Sequence, residues 1–231
     1  MMKVLLIGQG NVASHLYKAF STTENVSVQQ INSRNLINIP IVDIIVLAVS
    51  DDAISLISKQ LGEREELVTH TSGTVNINAI QQKRKGVFYP LQSFTKGTEI
   101  NFSNIPFCLE TKHKTDYNLI EELANSISKK SYNISSQQRK KLHLAAVFVN
   151  NFTNHMYSIG NEICNSNHVP FEILQPLIEE TAKKIQKISP KEAQTGPAKR
   201  KDEQTIKNHL EQLNSQQKEI YKIITKSIQE N

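Results

Sequence analysis

A chain of 231 residues, of which 38% are apolar and 21% charged, can bury one large hydrophobic core or two modest ones. It has neither the run of about 18 apolar residues that a membrane helix needs nor a signal-peptide core, so we expect a cytoplasmic protein without membrane contacts. The net charge of +5 is diffuse, and we interpret the short basic clusters at residues 83–85, 139–141 and 199–201 mainly as solvated helix ends and loops. Because no basic stripe is interleaved with aromatic residues, we expect no nucleic-acid partner.

The first half of the chain alternates strand-like and helix-like segments. Apolar or alternating runs predict strands at residues 3–7, 26–31, 43–49, 67–70, 86–89 and 107–110. Helical spacing predicts helices at residues 12–20, at 117–127, and from an N-cap at Asp51 or Asp52 to residue 61. Strands joined by helical crossovers favour a mostly parallel sheet covered on both faces, so we predict an α/β domain over residues 1–134.

The second half, residues 135–231, is predicted to be an all-helical domain. Residues 137–164 carry one long helical pattern whose apolar residues recur at steps of three and four, which is typical of a helix that packs against another. Further helices are predicted at residues 171–188, 203–213 and 216–229, with a polar loop over residues 189–202.

A Gly-x-Gly-x-x-Ala turn at residues 8–13 follows the first strand and opens the first helix. Its first glycine allows a tight turn, its second lets a pyrophosphate approach the backbone, and Ala13 lets the helix pack closely. This context predicts a Rossmann-type domain that binds a dinucleotide at the helix N-terminus, although a purely structural turn remains an alternative. The predicted contacts are Gly8, Gln9, Gly10, Asn11 and Val12.

The end of the second strand favours NADP(H) over NAD(H). Residues 29–35 contain no acid to bind the ribose hydroxyls, whereas Arg34 offers a planar cation and Ser33 a neutral donor for a 2′-phosphate. The alternative is that Arg34 is an ordinary surface residue. Val49 and Ser50 follow the strongest strand, and we expect them beside the cofactor as well.

Polar residues follow two further strands at the same edge of the predicted sheet. His70, Ser72, Tyr89 and Gln92 lie where substrates of open α/β sheets bind. His70 or Tyr89 can donate a proton to a carbonyl or imine as hydride arrives, but a structural role for His70 is an open alternative.

The long helix carries a polar stripe beside its apolar seam. Such a stripe is typical of a cleft wall, or alternatively of a solvated helix flank. Arg200, after a rigid Gly-Pro turn, is a candidate clamp for an anionic substrate group, or belongs to a loop that only connects helices. The residues spaced along this face are His143, Val147, Asn150, Asn151 and Asn154, and the polar ones form the stripe.

Cys108 and Cys164 are far apart and have no His or Cys partner at metal-ligand spacing. Both have apolar neighbours, so we expect two buried hydrophobic residues, without a metal site or a disulfide.

These motifs resemble a family of two-domain Rossmann-like proteins, often labelled oxidoreductases, whose helical C-terminal region is a domain of unknown function. The chain is more distantly similar to pyrroline-5-carboxylate reductases and deazaflavin-dependent NADP oxidoreductases. The resemblance implies a homodimer built mainly through the long helix. This chain departs from the family's pattern at Tyr89, where His is usual, and at Lys201, where Gly is usual. The blocks that carry it are residues 8–13, 70–73, 89–94, 143–151 and 195–198, followed by Arg200, Asp202, Thr205, Ile206, His209 and Leu210.

The sequence thus predicts an NADP(H)-dependent oxidoreductase that transfers hydride to or from a small C=O or C=N substrate between the two domains. The candidates for proton transfer and substrate orientation are, in falling order, His143, Asn151, Tyr89 and His70. The alternative is a sensor or regulatory protein that binds NADP(H) without turnover, because no acid is obviously paired with a matched carboxylate.

Overall fold

The computed structural model describes residues 1–230, which divide into a compact unit over residues 1–148 and a second unit from residue 149 onward. The sheet ends at Asn133, next to the boundary predicted near residue 134, whereas the first unit continues to residue 148. The first unit also includes the helix that follows the sheet.

The first unit is built on a seven-stranded sheet with the order β2-β1-β3-β4-β5-β6-β7. Every neighbouring pair is parallel except β5 and β6, so the predicted mostly parallel Rossmann-type sheet is confirmed. The strands are β1 (Met2–Ile7), β2 (Val26–Ile31), β3 (Ile44–Leu47), β4 (Leu67–His70), β5 (Lys85–Pro90), β6 (Phe107–Thr111) and β7 (Ser131–Asn133).

Helices cover both faces of this sheet. One core holds Leu16 and Phe20 with Ile120 and Leu123, and the other holds Ile54 with its neighbours. Residues 4–7 and 44–47 are fully buried, which explains why their sequences are apolar on both faces. The helices are α1 (Asn11–Ser21), α2 (Asp51–Gln60), α3 (Tyr117–Asn125) and α4 (Ser136–Ala146), with 3₁₀ turns at Ile77–Ala79, Phe102–Asn104 and Lys114–Asp116.

The strand order reverses between β1 and β3. From β1 the chain moves to β2 on one side and then returns to β3 on the other side. The connections that follow β1 and β3 therefore leave a crevice at the carboxyl ends of these two strands. Open α/β sheets bind ligands in such a crevice.

Helical structure continues after α4, but not as the single α-helix that was predicted over residues 137–164. A π-helical segment, Val147–Phe152, separates α4 from α5 (Thr153–Ser166). Hydrogen bonds that run from i to i+5 widen the turn, and a pattern of apolar steps does not reveal such a segment.

The second unit is all-helical, as predicted. The predicted polar loop over residues 189–202 instead contains two short helices, because Ser189 and Glu192 form a capping box and Pro190 and Pro197 occupy first-turn positions. None of the helices within residues 1–230 is both long and apolar enough to span a membrane. After α5 the elements are a 3₁₀ turn (Phe171–Leu174), α6 (Gln175–Lys184), α7 (Pro190–Ala193), α8 (Pro197–Arg200), α9 (Glu203–Gln212) and α10 (Ser215–Glu230).

Candidate functional site

The glycine turn brings the ends of β1 and β3 into close contact. Gly8 has φ of 136°, and a Cβ on it would overlap the carbonyl oxygen of Ala48. Only glycine fits this position, because both the backbone conformation and the space exclude a side chain.

Gly10, in contrast, faces open space. Apart from Gly10 and its two chain neighbours, no atom of the described residues lies within 4 Å of the place that a Cβ on Gly10 would occupy. Gly10 is the N-cap of α1, no side chain caps the helix, and its first turn contains no acid. The amide groups and partial positive charge at this helix end are therefore available to an anion, and the loop fits a dinucleotide pyrophosphate.

A cleft of about 1040 Å³ lies at this point of the sheet. Its size is at the upper end of what small-molecule and cofactor sites occupy. The cleft also includes Thr71, Gln92 and Phe94. The structure brings together in it all nine residues that the sequence suggested for cofactor binding: Gly8, Gln9, Gly10, Asn11, Val12, Ser33, Arg34, Val49 and Ser50.

Arg34 is the one charged residue that lines the cleft within the described part of the chain. Its backbone N–H donates to Asn32 Oδ1 at 2.9 Å, and Asn32 Nδ2 donates to Gln9 Oε1 at 3.1 Å. The turn after β2 is thus tied to the glycine loop, while no carboxylate of residues 1–230 forms an ion pair with the exposed Arg34 side chain. This arrangement fits a ligand phosphate at the end of β2.

One wall of the cleft is a loop that sequence reasoning missed. Asn11 Nδ2 donates to the Phe94 carbonyl at 3.0 Å, and His15 Nε2 lies 3.1 Å from the Thr98 carbonyl oxygen. Lys18 forms an ion pair with Glu99 at 2.8 Å. The three residues on α1 are spaced i, i+4 and i+7, so one helix face fastens the loop, and that spacing was the available signal.

The acids after β3 do not act as predicted. Ser50, not Asp51 or Asp52, is the N-cap residue of α2, and its side chain makes no cap hydrogen bond. The carboxylate of Asp51 instead accepts a short hydrogen bond from the Thr74 hydroxyl. This contact joins the start of α2 to the loop after β4.

His70 is fully buried and does not line the cleft. Its Nδ1 accepts the backbone N–H of Ser72 at 3.2 Å, and its Nε2 has no hydrogen-bond partner among residues 1–230. Burial, and to a smaller extent the Arg139 guanidinium, lower the pKa of His70 to about 4. At neutral pH this imidazole is uncharged and shielded from solvent. Ser72, also buried, accepts the N–H groups of Thr74 and Val75 and so shapes the same loop.

Tyr89 and His143 form a hydrogen-bonded pair. Tyr89 Oη lies 3.2 Å from His143 Nδ1, although 54 residues separate them in the chain. Burial raises the pKa of Tyr89 to about 12, so the phenol keeps its proton at neutral pH. The backbone of Gly73 packs directly against the pair, since a Cβ there would lie 2.9 Å from Tyr89 Cζ.

Three further candidates belong to the second unit. Asn150 and Asn151 are exposed in the π-helical segment, and Arg200 is exposed at the end of α8. The proposed stripe from residue 143 to 154 assumed a continuous α-helix, which is wrong because the wider π-turn changes which residues share a face.

The cysteines are free. Cys108 is buried as predicted, whereas Cys164 is only partly buried. Within residues 1–230, no three His, Cys, Asp or Glu side chains are grouped as metal ligands would be.

Comparison with protein families and solved structures gives a consistent result. The model of a family described as a domain of unknown function (DUF2520) matches residues 105–228. The structure of a putative NADP oxidoreductase from Bacteroides fragilis is 35% identical, has a TM-score of 0.91, and covers 100% of this chain and 98% of its own. No curated protein sequence matches the chain at a significant level.

More distant structures share the fold. A protein from Thermotoga maritima is 20% identical, with a TM-score of 0.76 over 98% of this chain and 97% of its own. A 1-pyrroline-5-carboxylate reductase from Streptococcus pyogenes is 13% identical, with a TM-score of 0.65 over 100% and 99%. At these identities the likeness establishes the fold alone.

Proposed function

The chain belongs to the DUF2520 family, and on that premise we propose that it is an NADP(H)-dependent oxidoreductase acting on a small C=O or C=N substrate. The observation that carries the proposal is the glycine loop, where Gly10 and the uncapped start of α1 leave an anion site at the reversal point of the sheet. The Bacteroides fragilis protein, described as an NADP oxidoreductase, supports it.

We assign the adenosine side of the cofactor to the turn after β2. Arg34 would hold the 2′-phosphate, with Ser33 as a neutral donor, because the cleft offers no other charge within the described residues. Val49 and Ser50 would line the opposite side, and Gly8 to Val12 the pyrophosphate. The absence of an acid from this lining favours NADP(H) over NAD(H).

We assign proton transfer to Tyr89 and His143. When bound, NADP(H) supplies or accepts the hydride. The Tyr89 phenol donates its proton to the substrate heteroatom, and His143 Nδ1, 3.2 Å away, returns a proton to the phenol oxygen. Because His70 is buried and neutral, we leave it out of this transfer and give it a structural role.

We assign substrate orientation to Gln92 and Ser72 of the first unit. Gln92 lines the cleft, and Ser72 shapes the adjacent loop. Asn150, Asn151 and Arg200 of the second unit are exposed and carry the amide and guanidinium donors that the sequence analysis proposed for substrate orientation.

We also propose that the protein is a homodimer joined through its C-terminal helices. In the described part of the second unit, Ala198 is the only buried apolar residue, while Val149, Ile173 and Ile223 are 74, 64 and 68% exposed. A helical unit that buries so little apolar surface gains stability when a second copy covers it.

The proposed activity is tested by offering NADPH and a panel of small keto acids, aldehydes and cyclic imines to the full-length protein. We expect NADPH oxidation with at least one member, and a loss of about 100-fold in kcat for Tyr89→Phe with unchanged NADPH affinity. Tight NADPH binding without oxidation of any member would instead select the sensor.

A further inference from the structure

Arg139 is a buried charge that the proposed mechanism leaves unused. It belongs to the basic cluster at residues 139–141, which the sequence suggested to be solvated. Lys140 and Lys141 are indeed exposed, but Arg139 is fully buried. A buried guanidinium is costly and is retained only where it is paired and hydrogen-bonded.

The contacts of Arg139 join three elements of the first unit. Nη1 donates to Glu110 Oε2 on β6 at 2.7 Å, and Nη2 donates to the Val75 carbonyl in the loop after β4. Ser136, one turn earlier on α4, donates to the same Glu110 oxygen at 2.6 Å and accepts the Ile77 N–H at 3.0 Å. The start of α4 is thereby fixed to both the sheet and the loop.

The spacing of these contacts links Arg139 to the Tyr89–His143 pair. His143 follows Arg139 by four residues, which is roughly one turn or 6 Å along α4. On the antiparallel pair β5–β6, Glu110 pairs with Val87 and Cys108 pairs with Tyr89. These two rows are two residues apart, or about 6.8 Å. The contact between Arg139 and Glu110 is therefore separated from the contact between His143 and Tyr89 by about one helical turn on α4 and by two residues on the β5–β6 pair.

We propose that Arg139 is a positioning residue whose ion pair with Glu110 holds α4 in the one register that places His143 against Tyr89. The assignment rests on the proposed function, in which this pair moves the proton.

The surroundings leave little tolerance for another placement of α4. A Cβ on Gly73 would lie 2.5 Å from His143 Nδ1, so the loop backbone already touches the imidazole. The hydrogen bond between Tyr89 and His143 is 3.2 Å long, and a shift of less than about 1 Å takes it beyond hydrogen-bonding distance. A directional, multiply bonded guanidinium fixes such a register better than apolar contacts, which permit sliding.

The test reads the His143 ring directly in the full chain labelled with ¹⁵N-histidine. Long-range ¹H–¹⁵N spectra report whether Nδ1 takes part in a hydrogen bond, and Tyr89→Phe gives the reference shift for its loss. The main variant is Arg139→Met combined with Glu110→Leu, because replacing both partners by apolar residues leaves no uncompensated buried charge.

We expect the His143 signals of this double variant to coincide with those of Tyr89→Phe, and adding Tyr89→Phe to it to cause no further shift. If the folded double variant keeps the wild-type His143 signals and still responds to Tyr89→Phe, the proposal is wrong. Circular dichroism and thermal unfolding report whether the double variant is folded.

Arg139→Lys decides the question if the double variant does not fold. It keeps the positive charge but loses the planar fork, so we expect the same loss of the Tyr89-dependent His143 shift. Retention of that shift would overturn the proposal. The measurement needs no substrate or cofactor, so a failure to oxidise NADPH would refute the proposed function without affecting this result.

Discussion

Arg34 is the residue to which we assign the proposed preference for NADP(H) over NAD(H). Its guanidinium is exposed in the cleft at the end of β2 and has no carboxylate partner within residues 1–230. We expect Arg34→Ala to weaken NADPH binding by about ten- to a hundredfold, since a charge-assisted hydrogen bond contributes roughly 1.5–3 kcal/mol. NADH binding should stay within about twofold of wild type, because NADH has no 2′-phosphate.

The measurement for Arg34 is a pair of fluorescence titrations with the two cofactors. Lys83→Ala is the matched control, because it removes an exposed cation that does not line the cleft. Equal losses for NADPH and NADH in Arg34→Ala would show that the 2′-phosphate is bound elsewhere.

His70 makes the stability of the first unit depend on pH. Burial holds the pKa of His70 at about 4 in the folded protein, below the ordinary histidine value of about 6.5. The unfolded chain therefore takes up a proton first as the pH falls. The contribution of neutral His70 to the free energy of unfolding is complete above about pH 6.5 and is lost as the pH falls through about 4.

We expect wild type to lose roughly 2–3 kcal/mol more than His70→Asn between about pH 7.5 and pH 4.5, measured by urea denaturation. Asn is chosen because its side-chain oxygen can still accept the Ser72 N–H. His155→Gln, which alters an exposed histidine, should follow the wild-type profile. Parallel profiles for wild type and His70→Asn would refute the structural role of His70.

At the scale of elements, the turn between β1 and α1 contains two glycines with different roles. Gly8 is structural, whereas Gly10 faces the proposed ligand. Gly8→Ala places a methyl group on the Ala48 carbonyl at a positive φ, so we expect a marked loss of stability. Gly10→Ala adds a methyl group to open space at φ of −73°, so its melting temperature should stay close to that of wild type while NADPH affinity falls at least about tenfold.

Thermal unfolding and calorimetry on these two variants measure both effects, and each variant serves as the control for the other. A Gly10→Ala variant that binds NADPH as tightly as wild type would place the pyrophosphate outside this loop.

Strands β1 to β6 were predictable because their apolar runs are distinctive, and their predicted ends agree within two residues. Strand β7 was missed because Ser131, Tyr132 and Asn133 are polar or exposed, and pairing with β6 determines their conformation. Local propensity does not report such tertiary pairing. The π-helical segment was missed for a related reason, since apolar spacing specifies a helix but not an added residue in one turn.

The part of the candidate site that the sequence could predict is the set of loops at the strand ends. Those loops follow recognisable strands, and the topology brings them to one edge of the sheet. The pairing of Tyr89 with His143 depends on how α4 docks, and the burial of Arg139 depends on Glu110 across the sheet. No pattern of neighbouring residues carries that information.

At the scale of the whole molecule, the proposed homodimer is joined through the second unit. We expect the wild-type protein to sediment as a dimer and Val149→Glu or Ile223→Glu to dissociate more than about 100-fold more readily, because each would bury an unpaired carboxylate at the interface. Sedimentation velocity over a range of micromolar concentrations measures this.

Ile41→Glu is the matched control for dimerisation. It places the same charge on an isoleucine of the first unit that is 88% exposed, so it should leave the dimer intact. A wild-type protein that remains monomeric throughout that range would contradict the proposed dimer.

The most direct test of the central claim is isothermal titration calorimetry of the full-length protein with each nicotinamide cofactor. The cleft at the ends of β1 and β3 predicts one NADPH bound per chain, with a Kd at or below about 100 μM, and NADH bound at least about tenfold more weakly. Absence of binding by both cofactors would contradict the assignment of the glycine loop, and with it the proposed oxidoreductase activity.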